Sequence, residues 1–129
     1  MDPSATLTTV DNDAAALSIL RNHLGGDPRL SAACEDGNEF IKSIQGSSFD
    51  FIFADTWSGK YQMLDETLAL LNPGGLYVID DMLPQSNWPE GHAEKAAKLI
   101  ERLELLPGFV VSKIAWASGL VVATKMRQN

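Results

Sequence analysis

The sequence predicts a three-layer α/β fold: a mostly parallel sheet, closed by an antiparallel hairpin. Three observations carry that prediction. Apolar, strand-like runs alternate with helical periodicities along nearly the whole chain, the pattern of a parallel sheet covered on both faces. Three of the runs end in acid: Asp11 closes LTTVD, Asp55 closes FDFIFAD, and Asp80 with Asp81 closes GLYVIDD. The last two runs, FVVSKIAW and LVVATK, are separated only by the stretch from Ala117 to Gly119. That gap is too short for a parallel crossover, so the two must form a hairpin. In open α/β sheets, ligands bind beyond the carboxyl ends of parallel strands, so acidic ends in register predict one shared site.

Each element has its own signal. ATLTTV reads as a strand, followed by a helix from about Asp13 to Leu24 with Leu17, Leu20 and Leu24 on one stripe. Asn12 or Asp13 can cap it, and Gly25-Gly26 ends it. RLSAAC is a second strand, and Asn38 to Ile44 a short helix with Phe40, Ile41 and Ile44 facing the core. FDFIFA is almost continuously apolar, as expected of a strand buried on both faces. A helix over about Tyr61 to Leu71 places Leu64, Leu68 and Leu71 at helical spacing, and NPGG (Asn72 to Gly75) stops it. LYVI is the next strand, and Met82 to Gly91, with two prolines and Trp88, is a loop over the strand ends. A last helix, about His92 to Leu106, turns Ala96, Ile100 and Leu103 inward before the hairpin.

Composition narrows the function. The 129 residues, 45% of them hydrophobic, suit a single domain over residues 1–129. A net charge of −7 argues against a nucleic-acid-binding surface and favours a cation at the acidic mouth. The single Cys34 excludes an internal disulfide and, within LSAAC, reads as a buried, inert thiol of a reducing compartment. No apolar run approaches the roughly 18 residues of a membrane span, and MDPSATLTT lacks the regions of a signal peptide. The expectation is a soluble, cytoplasmic protein.

The segments FDFIFADTWSGKY and LLNPGGLYVIDDML, with the closing hairpin, resemble the class I S-adenosylmethionine-dependent methyltransferases. Among these the chain is similar to the metal-dependent O-methyltransferases of the catechol and caffeoyl-CoA type, from Leu7 onward. The resemblance implies a Rossmann-like sheet and methyl transfer from S-adenosylmethionine to a small-molecule hydroxyl, assisted by Mg²⁺ or another divalent cation. It places Asp11 on the cofactor's ribose hydroxyls, Asp36 and Gly37 in the turn beside the adenine, and Trp57 near cofactor and substrate. Asp55, Asp80 and Asp81 match the metal ligands, with Asp55 also bordering the cofactor. The metal reading has independent physical support: three carboxylates in one cleft raise one another's pKa unless a cation sits among them. All-oxygen ligands select a hard ion, Mg²⁺ before Ca²⁺ or Mn²⁺.

The departures from the family pattern are equally specific. The Gly-rich first strand of the family is missing, since only Met1 to Ala5 precede the strand ending at Asp11. The expectation is an N-terminally incomplete domain with two apolar sheet edges, weak or absent activity, and association of copies through those edges. Alternatively, the strand ending at Asp11 slides in beside FDFIFA. Catechol-type enzymes carry Lys three residues after the first metal Asp; here Ser58 stands there, and Lys60 is the substitute as catalytic residue. Plainer readings stand beside these. Asp11 can cap a helix, Asp80-Asp81 can open a solvated loop, Lys60 can be a surface lysine, and Trp57 can cover core. Neither His23, on a helix flank, nor His92, at a helix start, is a convincing ligand. Two rivals in other classes are a non-catalytic remnant acting by association and a receiver-type domain phosphorylated on Asp55. The hairpin and the acids at Asp80-Asp81 count against the receiver.

Overall fold

A computed structural model describes residues 2–127, so Met1, the first residue of the lead-in, lies outside them. The chain divides into two compact units, Met1–Ile44 and Gln45–Asn129.

The first unit is a β-α-β-α run: β1 (Leu7–Asp11), α1 (Ala14–Leu24), β2 (Leu30–Cys34) and α2 (Gly37–Ser43). The two strands are parallel, in register from Leu7 opposite Leu30 to Asp11 opposite Cys34. Of the two candidate caps for α1, Asp13 is the one used: its carboxylate accepts the N–H groups of Ala15 and Ala16. Leu17 and Ile41 are the buried apolar side chains of this unit. Leu24, on the same stripe as Leu17, is 54% exposed. Cys34 is exposed at the end of β2, which corrects the expectation of a buried thiol: an apolar run in a two-stranded sheet has no neighbour strand to cover it.

The second unit holds β3 (Phe49–Ala54), α3 (Leu64–Ala69), β4 (Leu71–Ile79), α4 (His92–Glu104), β5 (Phe109–Ile114) and β6 (Leu120–Lys125). Its sheet has the order β3-β4-β6-β5. β3 and β4 run parallel, β6 runs antiparallel to β4, and β5 with β6 forms the expected hairpin. Strand pleating sends Ile52, Ala54, Tyr77, Ile79, Val121 and Ala123 to one face, where Leu64 and Leu68 of α3 and Ala96, Leu99 and Leu103 of α4 cover them. At about 25 cal/mol per Å² of apolar surface removed from water, this cluster is the unit's main source of stability. Lys125, on the same face, donates to the carbonyl oxygens of Leu68 and Leu71 and so closes the end of α3.

Three expectations are corrected here. FDFIFA is not buried on both faces: Phe51 and Phe53 point away from the helices and are 57% and 52% exposed. The helix expected from Tyr61 is confined to Leu64–Ala69, because a tight turn precedes it and Leu71 already belongs to β4. NPGG is an excursion inside β4, not a helix stop. Phe49 pairs with Leu71 and Phe51 with Leu76, so the residues between them bulge out. Gly75 is obligatory there, since an added Cβ would lie 2.8 Å from the Asn72 carbonyl oxygen. β1 and β3 are strands of different sheets. Among the described residues, no helix is long and apolar enough to cross a membrane.

Candidate functional site

In the second unit, the register that pairs Ala54 with Ile79 brings the next residues, Asp55 and Asp80, to the same end of two neighbouring parallel strands. Asp81 follows with φ 59°, a left-handed backbone that sharply redirects the chain after β4. Each of the last two carboxylates is already held. One oxygen of Asp80 accepts the Ser118 hydroxyl at 2.6 Å and the Asp81 N–H at 2.6 Å. Asp81 accepts the indole N–H of Trp88 at 3.1 Å. The Ser118 hydroxyl, followed by the Asp81 N–H, keeps the Asp80 carboxyl below the usual carboxylate range against a small opposing effect of burial.

Lys60 is the centre of this arrangement. The expectation of a solvated surface lysine is wrong: the residue is 5% exposed, and Nζ donates to the Asp80 carbonyl oxygen at 2.5 Å. The turn between β3 and α3 explains the inward direction. The Trp57 carbonyl accepts N–H groups from Lys60, Tyr61 and Gln62, Gly59 turns with φ 79°, and the buried Tyr77 hydroxyl donates to the Gly59 carbonyl at 2.6 Å. Burial lowers the pKa of the Lys60 ammonium, while the charges of Asp81, Asp55 and Asp80 oppose that shift.

Beside the acids lies an aromatic group that the sequence did not single out as a unit. His92 meets Trp88 edge-on at 4.6 Å between centroids and Tyr61 at 5.6 Å, and Trp57 meets Tyr61 at 5.5 Å. The Tyr61 hydroxyl and His92 Nε2 are 3.5 Å apart. Trp57 is 49% exposed, with the Lys95 ammonium 4.0 Å from its ring centroid, a cation–π contact. The four-residue step from Trp88 to His92 was the available signal; the loop between them hid it. Ser118 was missed because a hairpin-turn serine has no sequence mark of its role.

Asp55, Asp80 and Asp81 share a strand end, but their carboxylates are not drawn together. Among the described residues, no three His, Cys, Asp or Glu side chains converge closely enough to hold a metal ion. The physical reason is visible: a lysine is packed against the acid end, and protein donors have drawn the Asp80 and Asp81 carboxylates to themselves.

In the first unit, Asp11 ends β1 with an exposed side chain, one oxygen of which accepts the Asp13 N–H at 2.8 Å. It therefore steadies the turn into α1 without being its cap. Asp36 is the cap of α2, accepting the N–H groups of Asn38 and Glu39, and Gly37 is the helix's first residue.

With that architecture, the chain has the α/β fold of the methyltransferases: a mixed sheet, parallel through β3 and β4 and closed by an antiparallel β6-β5 hairpin. Among solved structures it is similar to the O-methyltransferase TomG of Streptomyces achromogenes, crystallised with S-adenosylmethionine. The TM-score is 0.77 at 14% identity, over 98% of this chain and 65% of that one. The Bacillus cereus O-methyltransferase bound to S-adenosylhomocysteine gives 0.76 at 15% identity, over 93% of this chain and 62% of that one. A Staphylococcus aureus protein provisionally described as a caffeoyl-CoA O-methyltransferase gives 0.78 at 17% identity, over 93% and 64%. The chain thus spans just under two thirds of these structures. No protein-family model and no curated protein matches the sequence.

Proposed function

We propose that the chain binds S-adenosylmethionine and serves methyl transfer to the hydroxyl group of a small molecule. The observation that carries this reading is its likeness, over nearly the whole chain, to O-methyltransferases crystallised with S-adenosylmethionine or S-adenosylhomocysteine. Asp11 is the residue for the cofactor's ribose: an exposed carboxylate at a strand end offers two acceptor oxygens to a vicinal diol. Asp36 and Gly37 would sit beside the adenine, with Asp36 acting from its capping position. Asp55 and Trp57, in the second unit, would border the acceptor. The cofactor would supply the methyl group, and the chain's residues would hold and align the two reactants, which is the greater part of such catalysis. Divalent-metal assistance is left out of this reading, since protein donors occupy the Asp80 and Asp81 carboxylates. Lys60 enters as the resident cation of the acid end and not as a base.

Calorimetric titration with S-adenosylhomocysteine tests the reading. Binding in the micromolar range, weakened by Asp11→Ala, is expected; the absence of heat would leave the fold without the activity. A second reading, association of copies through open strands, is favoured by β3, an edge strand whose Phe51 and Phe53 are more than half exposed. Sedimentation analysis of the purified chain distinguishes it: a concentration-independent monomer would remove it.

A further inference from the structure

We propose that Lys60 is a built-in cation that takes the place of a divalent metal at the acid ends of β3 and β4, so that this site excludes Mg²⁺, Mn²⁺ and Ca²⁺.

The geometry of the second unit carries the inference. A buried ammonium is costly unless it is paired and hydrogen-bonded. Lys60 is hydrogen-bonded through the Asp80 carbonyl at 2.5 Å, and the charges of Asp81, Asp55 and Asp80 favour its ammonium form. Those are the same acids that would have to turn toward a metal. A hard divalent ion bound at this strand end would meet the positive charge of the ammonium held on the Asp80 carbonyl. It would also have to win carboxylate oxygens from existing partners, the Ser118 hydroxyl and Asp81 N–H on Asp80 and the Trp88 indole on Asp81.

Lys60 is also held in place from behind. Three N–H groups closing on the Trp57 carbonyl fix the turn, and the Tyr77 hydroxyl fixes its Gly59 carbonyl to the core. The fixed turn aims the side chain inward, and the Asp80 carbonyl holds its end. A mobile surface lysine would swing aside for a metal; this one is built in.

The inference concerns the second unit alone and stands whether or not the chain binds S-adenosylmethionine. It is tested by titrating Mn²⁺ into the purified chain, with and without S-adenosylhomocysteine, reading water-proton relaxation. The wild type should show no saturable Mn²⁺ uptake in either condition, and its thermal midpoint should be the same in EDTA and in excess Mg²⁺. Lys60→Met, which keeps the length and removes the charge, should bind Mn²⁺ at least about tenfold more tightly than the wild type. Its midpoint should then rise with Mg²⁺. Saturable binding by the wild type that is lost in Asp80→Asn would overturn the proposal. So would a folded Lys60→Met that takes up no metal. Should Lys60→Met fail to fold, Lys60→Arg decides: a folded protein that still excludes Mn²⁺ supports the proposal, and one that takes it up overturns it.

Discussion

The hydroxyl of Tyr77 donates to the carbonyl oxygen of Gly59 at 2.6 Å, and that one bond ties the turn carrying Trp57 and Lys60 to the centre of the sheet. Tyr77 is fully buried in β4, facing the helices. Without the bond, the carbonyl of Gly59 would have no donor in an apolar setting. Tyr77→Phe should therefore cost about 1–2 kcal/mol in urea unfolding, more than the deletion of an exposed hydroxyl.

The same residue predicts a pH dependence. Burial raises the Tyr77 pKa well above its ordinary 10.0, so the folded state keeps the proton after the unfolded chain has lost it. The contribution is fully present below pH 10 and is lost as pH climbs toward the folded value. Unfolding midpoints measured from neutral to strongly alkaline pH should fall less steeply in Tyr77→Phe than in the wild type. Parallel curves would mean that other groups set the alkaline limit.

The hairpin turn positions Ser118 on Asp80, and its backbone is sharply specified. Gly119 has φ 93°, and a Cβ there would lie 2.5 Å from Leu83 Cγ and 2.7 Å from the Leu83 backbone nitrogen. Gly119→Ala should destabilise by about 2–3 kcal/mol, from backbone strain and overpacking together. Two residues earlier, Ala117 is exposed with φ 50°, a conformation costing a non-glycine residue about 1 kcal/mol. Ala117→Gly should accordingly be neutral or stabilising by up to about 1 kcal/mol. Opposite signs for two neighbouring substitutions between glycine and alanine, read in one urea series, would confirm the turn geometry.

Helix α1 depends on its cap. Asp13 supplies acceptors to the N–H groups of Ala15 and Ala16, in a unit whose buried apolar side chains, among the described residues, are Leu17 and Ile41. Asp13→Ala should cost about 1 kcal/mol. Hydrogen exchange should show the loss confined to the amides of α1 and β1, with those of β4 and β6 unchanged.

The fold was legible in the sequence where periodicity and chain length left one solution. Residues 117–119 allow only a hairpin, and the spacing of Ala96, Ile100 and Leu103 recurs in α4, with Ala96 and Leu103 buried. It was illegible where tertiary context decided. Leu71 fits a helical stripe with Leu64 and Leu68, yet it pairs with Phe49 as the start of β4. The apolar run of β3 carries no mark that one of its faces is uncovered. At the candidate site, the acid-ended strands were readable because adjacency in a parallel sheet follows from topology. The inward Lys60 was not, since three backbone hydrogen bonds to one carbonyl turn it, and no residue pattern encodes them. The donors already on Asp80 and Asp81, the Ser118 hydroxyl and the Trp88 indole, were equally hidden.

The uncovered face of the second unit's sheet yields the last prediction. Phe51 pairs with Leu76 across β3 and β4, Phe53 lies two residues further on the same face, and both rings are more than half exposed. They lie opposite the face that α3 and α4 cover, so replacing them removes little of the unit's own packing. Phe51→Thr and Phe53→Thr together keep β propensity and should change the urea midpoint by no more than about 0.5 kcal/mol each. If these rings hold copies of the chain together, the sedimentation coefficient should fall to the monomer value in the double variant while the wild type sediments faster at high concentration. A large loss of stability instead would show that the rings are packed within one chain in solution.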